Sequence, residues 1–224
     1  MDVFQFILML HIAGGFTSLF TFWIPVVTKK GGKAHRLAGW IYTGGMIAVS
    51  VSAVYLAGAR LVDPASSPEI VSFALFLLFI AVLSSSTAYY GIRVLRFKQR
   101  QGAHTHPLDI GFPVLLLLSS IGMSIYGFLN SVPLLSWFPL LGLFLGASQL
   151  GYWLKPPKQK MHWWFEHFGG MLGCSIATIT AFTVFGAPRL LNIESVSLLL
   201  WFVPTILLTP VIIGLSVYYR RKFS

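Results

Sequence analysis

The sequence predicts an all-α membrane protein: a seven-transmembrane-helix bundle in one domain covering residues 1–224. Three observations predict it. The chain is 56% hydrophobic and only 10% charged, with a mean hydropathy of +0.77, whereas soluble domains carry about 25% charged residues. Its apolar residues fall into seven runs, each close to the roughly 20 residues a helix needs to cross a bilayer. Fourteen of the 16 Lys and Arg residues lie in alternate connections between those runs, the pattern that membrane insertion imposes on basic loops.

The runs are read at about 3–27, 37–59, 71–95, 108–129, 132–154, 163–186 and 195–219. The first is expected to remain as a helix, because no basic residue precedes it and its apolar part is too long for a cleavable signal. The second opens on "KAHR" and the sixth on "KMHWWFEHFGGM", while the third and fifth close on aromatic pairs, Tyr89–Tyr90 and Tyr152–Trp153. Pro25, Pro113, Pro139, Pro204 and Pro210 fall inside runs, where membrane helices tolerate proline and bend at it.

The connections set the orientation. Lys29, Lys30, Lys33 and Arg36 follow the first run, and Arg93, Arg96, Lys98 and Arg100 end or follow the third. Lys155, Lys158 and Lys160 follow the fifth, and Arg220, Arg221 and Lys222 the seventh. Arg60 and Arg189 fall on the other side, with Asp2, Asp63, Glu69 and Glu194. The positive-inside rule then predicts an outer N-terminus and a cytoplasmic C-terminus, in a multi-pass protein of the inner (plasma) membrane. Topology and attraction to anionic lipid account for the net charge of +10 without a nucleic-acid partner. The single cysteine, Cys174, excludes an intrachain disulfide and a Cys-rich metal site.

A repeat runs through the hairpins. Each basic connection on this side follows an aromatic pair (Phe22–Trp23, Tyr89–Tyr90, Tyr152–Trp153) and leads to histidine at the next helix start: His35, His104 with His106, and His162. Runs two and six also share "GGM" followed by Ser50 or Ser175. The pattern suggests three helical hairpins plus a seventh helix.

Five of the six histidines thus gather at the cytoplasmic boundary: His35, His104, His106, His162 and His167. His162 and Glu166, four residues apart, share a helix face that continues through Gly169 and Gly173. His167 lies over Gly170 and Cys174, about 6 Å inside the boundary. Ionisable groups inside spans usually face the bundle interior and mark function; the plainer alternative is interfacial anchoring by His, Lys and Trp. Glu166 is the acidic residue placed deepest, either as a base or as an ion-pair partner of Arg36 or a lysine. His11 stands apart, roughly 12 Å from the outer surface, either in an interhelical hydrogen bond or in a proton path.

Two cofactor chemistries suit these residues. Three histidines with a carboxylate nearby make a catalytic-type site for zinc or another divalent metal, and His35, His106, His162 and His167 are its candidate ligands. Bis-histidine haem b instead requires one histidine on each of two facing helices: His35 with His162 or His167, room at Gly39, Gly169 and Gly170, and Arg36 for a propionate. "HWWFEH" matches no zinc-protease spacing, and neither a nucleophile elbow nor a phosphate-binding glycine loop is present.

The stretch "KAHRLAGWIYTGGMIAVSVSAV" resembles the His-Arg-x-x-Gly-x-x-Tyr signature of a family of uncharacterised bacterial multi-pass membrane proteins, through His35, Arg36, Gly39 and Tyr42. Its His-Arg opening is also similar to that of ferric-reductase-like and b-type cytochrome membrane domains. The resemblance implies a histidine-held cofactor at the cytoplasmic end. The chain departs from those haem proteins in having no histidine opposite His11 at mid-depth. The expected function is redox-type, on a haem or metal site near the cytoplasmic face, with a lipid-like or quinone-like small molecule as partner. In that reading Glu166 is a catalytic base or supports a ligand. Two alternatives remain: a zinc-dependent hydrolase of lipid-like substrates, and a proton-coupled transporter or assembly partner using His11 and Glu166.

Overall fold

The computed structural model describes residues 2–192 and 197–223; Glu194, assigned above to the outer side, lies outside them. Seven helices are long and apolar enough to cross a membrane. We label them α1 (Val3–Val27), α2 (Lys33–Val62), α3 (Pro68–Arg96), α4 (Pro107–Leu129), α5 (Pro133–Leu154), α6 (His162–Leu191) and α7 (Leu198–Lys222). No strand occurs among the described residues. Large apolar side chains such as Leu118, Phe144 and Ile206 expose more than half of their surface. Lipid is the solvent that suits such a surface, and an all-helical chain satisfies its backbone within each span. The protein is a multi-pass membrane protein.

Local chemistry explains the helix ends. The Asp2 carboxylate accepts from Gln5 N at 2.7 Å and starts α1, and the Ser67 hydroxyl accepts from Ile70 N at 3.4 Å to start α3. Pro68, Pro107 and Pro133 occupy first helical positions, where the missing N–H costs nothing. Inside the spans proline acts unevenly. The regular helix breaks before Pro25 and Pro139, into Val3–Thr21 with Trp23–Val27 and Pro133–Trp137 with Pro139–Leu154. It continues through Pro113 and Pro210. In α6 a π-helical turn, Phe182–Gly186, precedes Pro188. A proline ring clashes with the carbonyl four residues back, and a widened turn relieves that clash.

α3 is the central helix, packed against α2, α4 and α6. α1 packs chiefly on α2, α4 on α5, and α7 on α6. An aromatic core of Phe76, Phe79, Leu116, Phe138 and Trp201 fills the half of the bundle away from the basic loops. At the basic end, Tyr90, Val94 and Trp153 form a second cluster, and between the two lie Tyr42, Met46, Ala88 and Cys174. Backbones approach most closely at glycine. A Cβ on Gly14 would lie 3.0 Å from Gly45 O, and one on Gly170 would lie 2.8 Å from Gly91 Cα. Such small-residue contacts let membrane helices gain dispersion energy that a lipid solvent otherwise cancels.

Candidate functional site

The site begins with the loop between α1 and α2. The last carbonyls of a helix have no intrahelical donor, and here two basic side chains answer them. Lys30 Nζ donates to Pro25 O at 2.8 Å and to Val26 O at 2.5 Å, and His35 Nδ1 donates to the same Pro25 O at 3.1 Å. Partial burial holds the Lys30 ammonium below its ordinary lysine value. On α6, His167 Nδ1 donates to Gly91 O of α3 at 2.6 Å. A carbonyl only accepts, so both bonds place the proton on Nδ1 and leave Nε2 as a lone-pair donor in the neutral rings. That is the tautomer in which histidine binds metals, with Nδ1–H held by an outer partner.

His35 and His167 come together, their ring centres 6.4 Å apart with planes at 61°. Two imidazoles on opposite sides of one metal ion, each with a metal–nitrogen bond of about 2 Å, have ring centres roughly 6 Å apart. The spacing therefore suits a shared ion. Gly39, one turn along α2 from His35, has nothing within 4 Å of where a Cβ would stand, so α2 leaves space beside the pair; Gly169 is exposed on the His162 face of α6, and Gly170 is closed against Gly91. Arg36 is exposed next to His35.

The other candidate ligands, His162 and His106, do not gather with this pair. His162 is buried and its Nδ1 lies 2.9 Å from Tyr152 OH. His106 Nδ1 lies 3.8 Å from Asp109 Oδ2. Among the described residues no three His, Cys, Asp or Glu side chains gather as a metal-holding group. The reason is angular: five residues of α-helix turn His162 about 140° away from His167. The partner of His35 is His167, not His162.

His162 and Glu166 do share a face, as their spacing predicts, and each meets a tyrosine. Tyr90 OH donates to Glu166 Oε2 at 2.5 Å, and the Tyr90 and Tyr152 rings meet edge-on at 5.7 Å. Glu166 is thus held by Tyr90 rather than by Arg36. His104 forms a separate centre. Its Nε2 donates to Asp109 Oδ2 at 2.6 Å, while Arg93 Nε and Tyr89 OH donate to Oδ1, each at 2.7 Å. Asp109 is fully buried, although its sequence position placed it only at a helix mouth. The three entrance histidines therefore serve three different partners. His11 makes the interhelical bond: Ser52 Oγ donates to Ala48 O at 2.5 Å, which leaves it to accept from His11 Nδ1 at 2.9 Å.

Sequence reasoning missed Gly91 O, Tyr90 and Tyr152 as partners. Tyr89–Tyr90 was visible as an aromatic pair, yet only the α3–α6 contact shows which way each residue faces. No family model matches the chain, and no curated protein or solved structure matches it.

Proposed function

We propose that the protein is a redox-type membrane protein whose His35 and His167 hold a haem iron, or another metal ion, between α2 and α6. The observation that carries the reading is the pair itself: two imidazoles with ring centres 6.4 Å apart, each fixed through Nδ1 by a backbone carbonyl from another helix. A zinc hydrolase needs three protein ligands and an open position, which a two-histidine pair does not supply, so the two-ligand reading is preferred.

A bound iron would supply one-electron chemistry at a potential set by its imidazole ligands. The chain's own residues do the rest. Pro25 O and Gly91 O orient the rings and raise their basicity. Exposed Arg36, next to His35 in the sequence, would answer an anionic group of the cofactor, and Glu166, held by Tyr90, would take up a proton. A lipid-like or quinone-like partner would reach the pair from the bilayer. We place the basic end at the cytoplasmic face of the inner membrane. A C-terminal alkaline phosphatase fusion should be inactive and a C-terminal fluorescent fusion bright; the reverse pattern inverts the orientation.

The test is an absorption spectrum of the detergent-purified protein with elemental analysis of the same sample. A Soret band lost in His35→Ala and in His167→Ala, but kept in His162→Ala, is the expected result. A preparation with neither haem nor metal overturns the proposal, and loss of proton-coupled transport in Glu166→Gln would then favour the transporter.

A further inference from the structure

Below the histidine pair, sulfur lines the seam that α2 and α6 share with α3. α2 contributes His35, Tyr42 and Met46, and α6 contributes His167, Met171, Cys174 and Thr178. Separations of three, four and seven residues put each set on one helical stripe. The contacts join them in depth order. Gly91, whose carbonyl holds His167, also abuts Met171: a Cβ there would come within 3.0 Å of Met171 Sδ. Cys174, 1% exposed, packs in a cluster with Tyr42, Met46, Ala88 and Met171, and its Sγ lies 3.9 Å from Ser84 O of α3. Thr178 Oγ1 lies 3.3 Å from Met46 Sδ and 3.3 Å from Tyr42 OH. The chain's only cysteine and two of its six methionines therefore line one seam under two imidazoles.

This donor set has a chemical preference. Thioether and thiolate sulfur select copper(I) among the common metal ions, and imidazole accepts copper as well. Charge points the same way. Among the described residues the nearby carboxylates are engaged elsewhere, Glu166 by Tyr90 and Asp109 by Arg93 and His104. A divalent ion at mid-bilayer depth would carry charge that nothing in the seam offsets, which an apolar interior penalises heavily. A monovalent ion is different. Copper(I) binding Cys174 replaces the thiol proton, which leaves to solvent at the basic end, and the charge of the seam does not change.

We propose that the α2–α6 seam is a copper(I) site with two stations: an outer one of His35 and His167, and an inner one of Met171, Cys174 and Met46. Met171 joins them, four residues from His167 and three from Cys174. The inference rests on the histidine pair being a metal site and names the metal class that it serves.

The full chain, purified in detergent under reducing conditions, is titrated with copper(I) against a chromophoric copper(I) chelator. X-ray absorption at the copper edge then reads the ligands. About one copper per chain is expected, with sulfur as well as nitrogen in the first shell. Met171→Leu, which conserves volume, and Cys174→Ser should each weaken binding at least tenfold and reduce the sulfur signal. His35→Ala should slow uptake and keep it. A nitrogen-only shell unchanged in both sulfur variants overturns the seam and leaves the histidine-pair reading standing. So does a Soret band with no copper retained. Absence of copper, haem and any other metal overturns both.

Discussion

The glycines on α6 allow a matched test of how the site is held. A Cβ on Gly170 would lie 2.8 Å from Gly91 Cα, 3.1 Å from Gly91 N and 3.4 Å from Thr87 O. All three atoms are backbone, so no rotamer change relieves the overlap. Carbon atoms settle at about 3.5–4.0 Å, so Gly170→Ala must push α6 from α3 by roughly 0.7–1.2 Å. Overpacking of this kind costs about 1–3 kcal/mol. Alanine also gains up to about 1 kcal/mol over glycine in a helix, which blurs the result for one variant. Gly169 supplies the control, because nothing lies within 4 Å of its Cβ position. Gly169→Ala gains the same propensity without the overlap, so the difference between the two variants isolates the overpacking. Unfolding in mixed detergent–SDS micelles should place Gly170→Ala about 1–3 kcal/mol below Gly169→Ala. The separation also stretches the 2.6 Å bond from His167 to Gly91 O, so any haem or metal signal should weaken in Gly170→Ala alone. Stabilities equal within about 0.5 kcal/mol would refute the close α3–α6 contact and the anchoring of His167 that depends on it.

Two further outcomes follow from bonds away from the pair. Asp109→Ala leaves Arg93 and His104, only 17% and 19% exposed, without their carboxylate. The loss should be about 3 kcal/mol, the lower end for a broken buried pair, with protease cutting between residues 97 and 106; an undisturbed loop would show that Asp109 does not hold it. A double-mutant cycle of His11→Ala and Ser52→Ala should give a coupling of about 0.6–2 kcal/mol, and a coupling near zero would remove the interhelical bond as the reason for His11.

Seven spans were legible because a bilayer permits a single continuous solution to an apolar run, and hydropathy reports that directly. Their ends were less so. α2 begins at Lys33 rather than near residue 37, since Lys33 to Arg36 are already helical while their charges stay outside. α6 runs to Leu191 rather than 186, through a π-helical turn that keeps Pro188 inside the span. Nothing in the sequence marks which prolines break a span, because the outcome depends on whether a neighbour or a widened turn absorbs the freed carbonyl.

The placement of the candidate residues was half legible, and the half that was not has a reason the sequence contains. Treating every entrance histidine as a ligand ignored rotation: His162 and His167 lie on different faces of α6, so one site cannot take both. What the sequence does not contain is the reason His35 meets His167. The Gly14–Gly45 contact clamps α2 to α1, and the Gly91–Gly170 contact clamps α6 to α3. Each of the two helices is thus committed to a different neighbour. They face one another across a seam closed by side chains, with Tyr42, Met46, Cys174 and Thr178 inside and the two histidines at its basic end. A seam filled by side chains can admit an ion by moving rotamers, whereas a glycine-tight contact cannot. The same four glycines that hold the bundle therefore decide which side chains line the seam between α2 and α6.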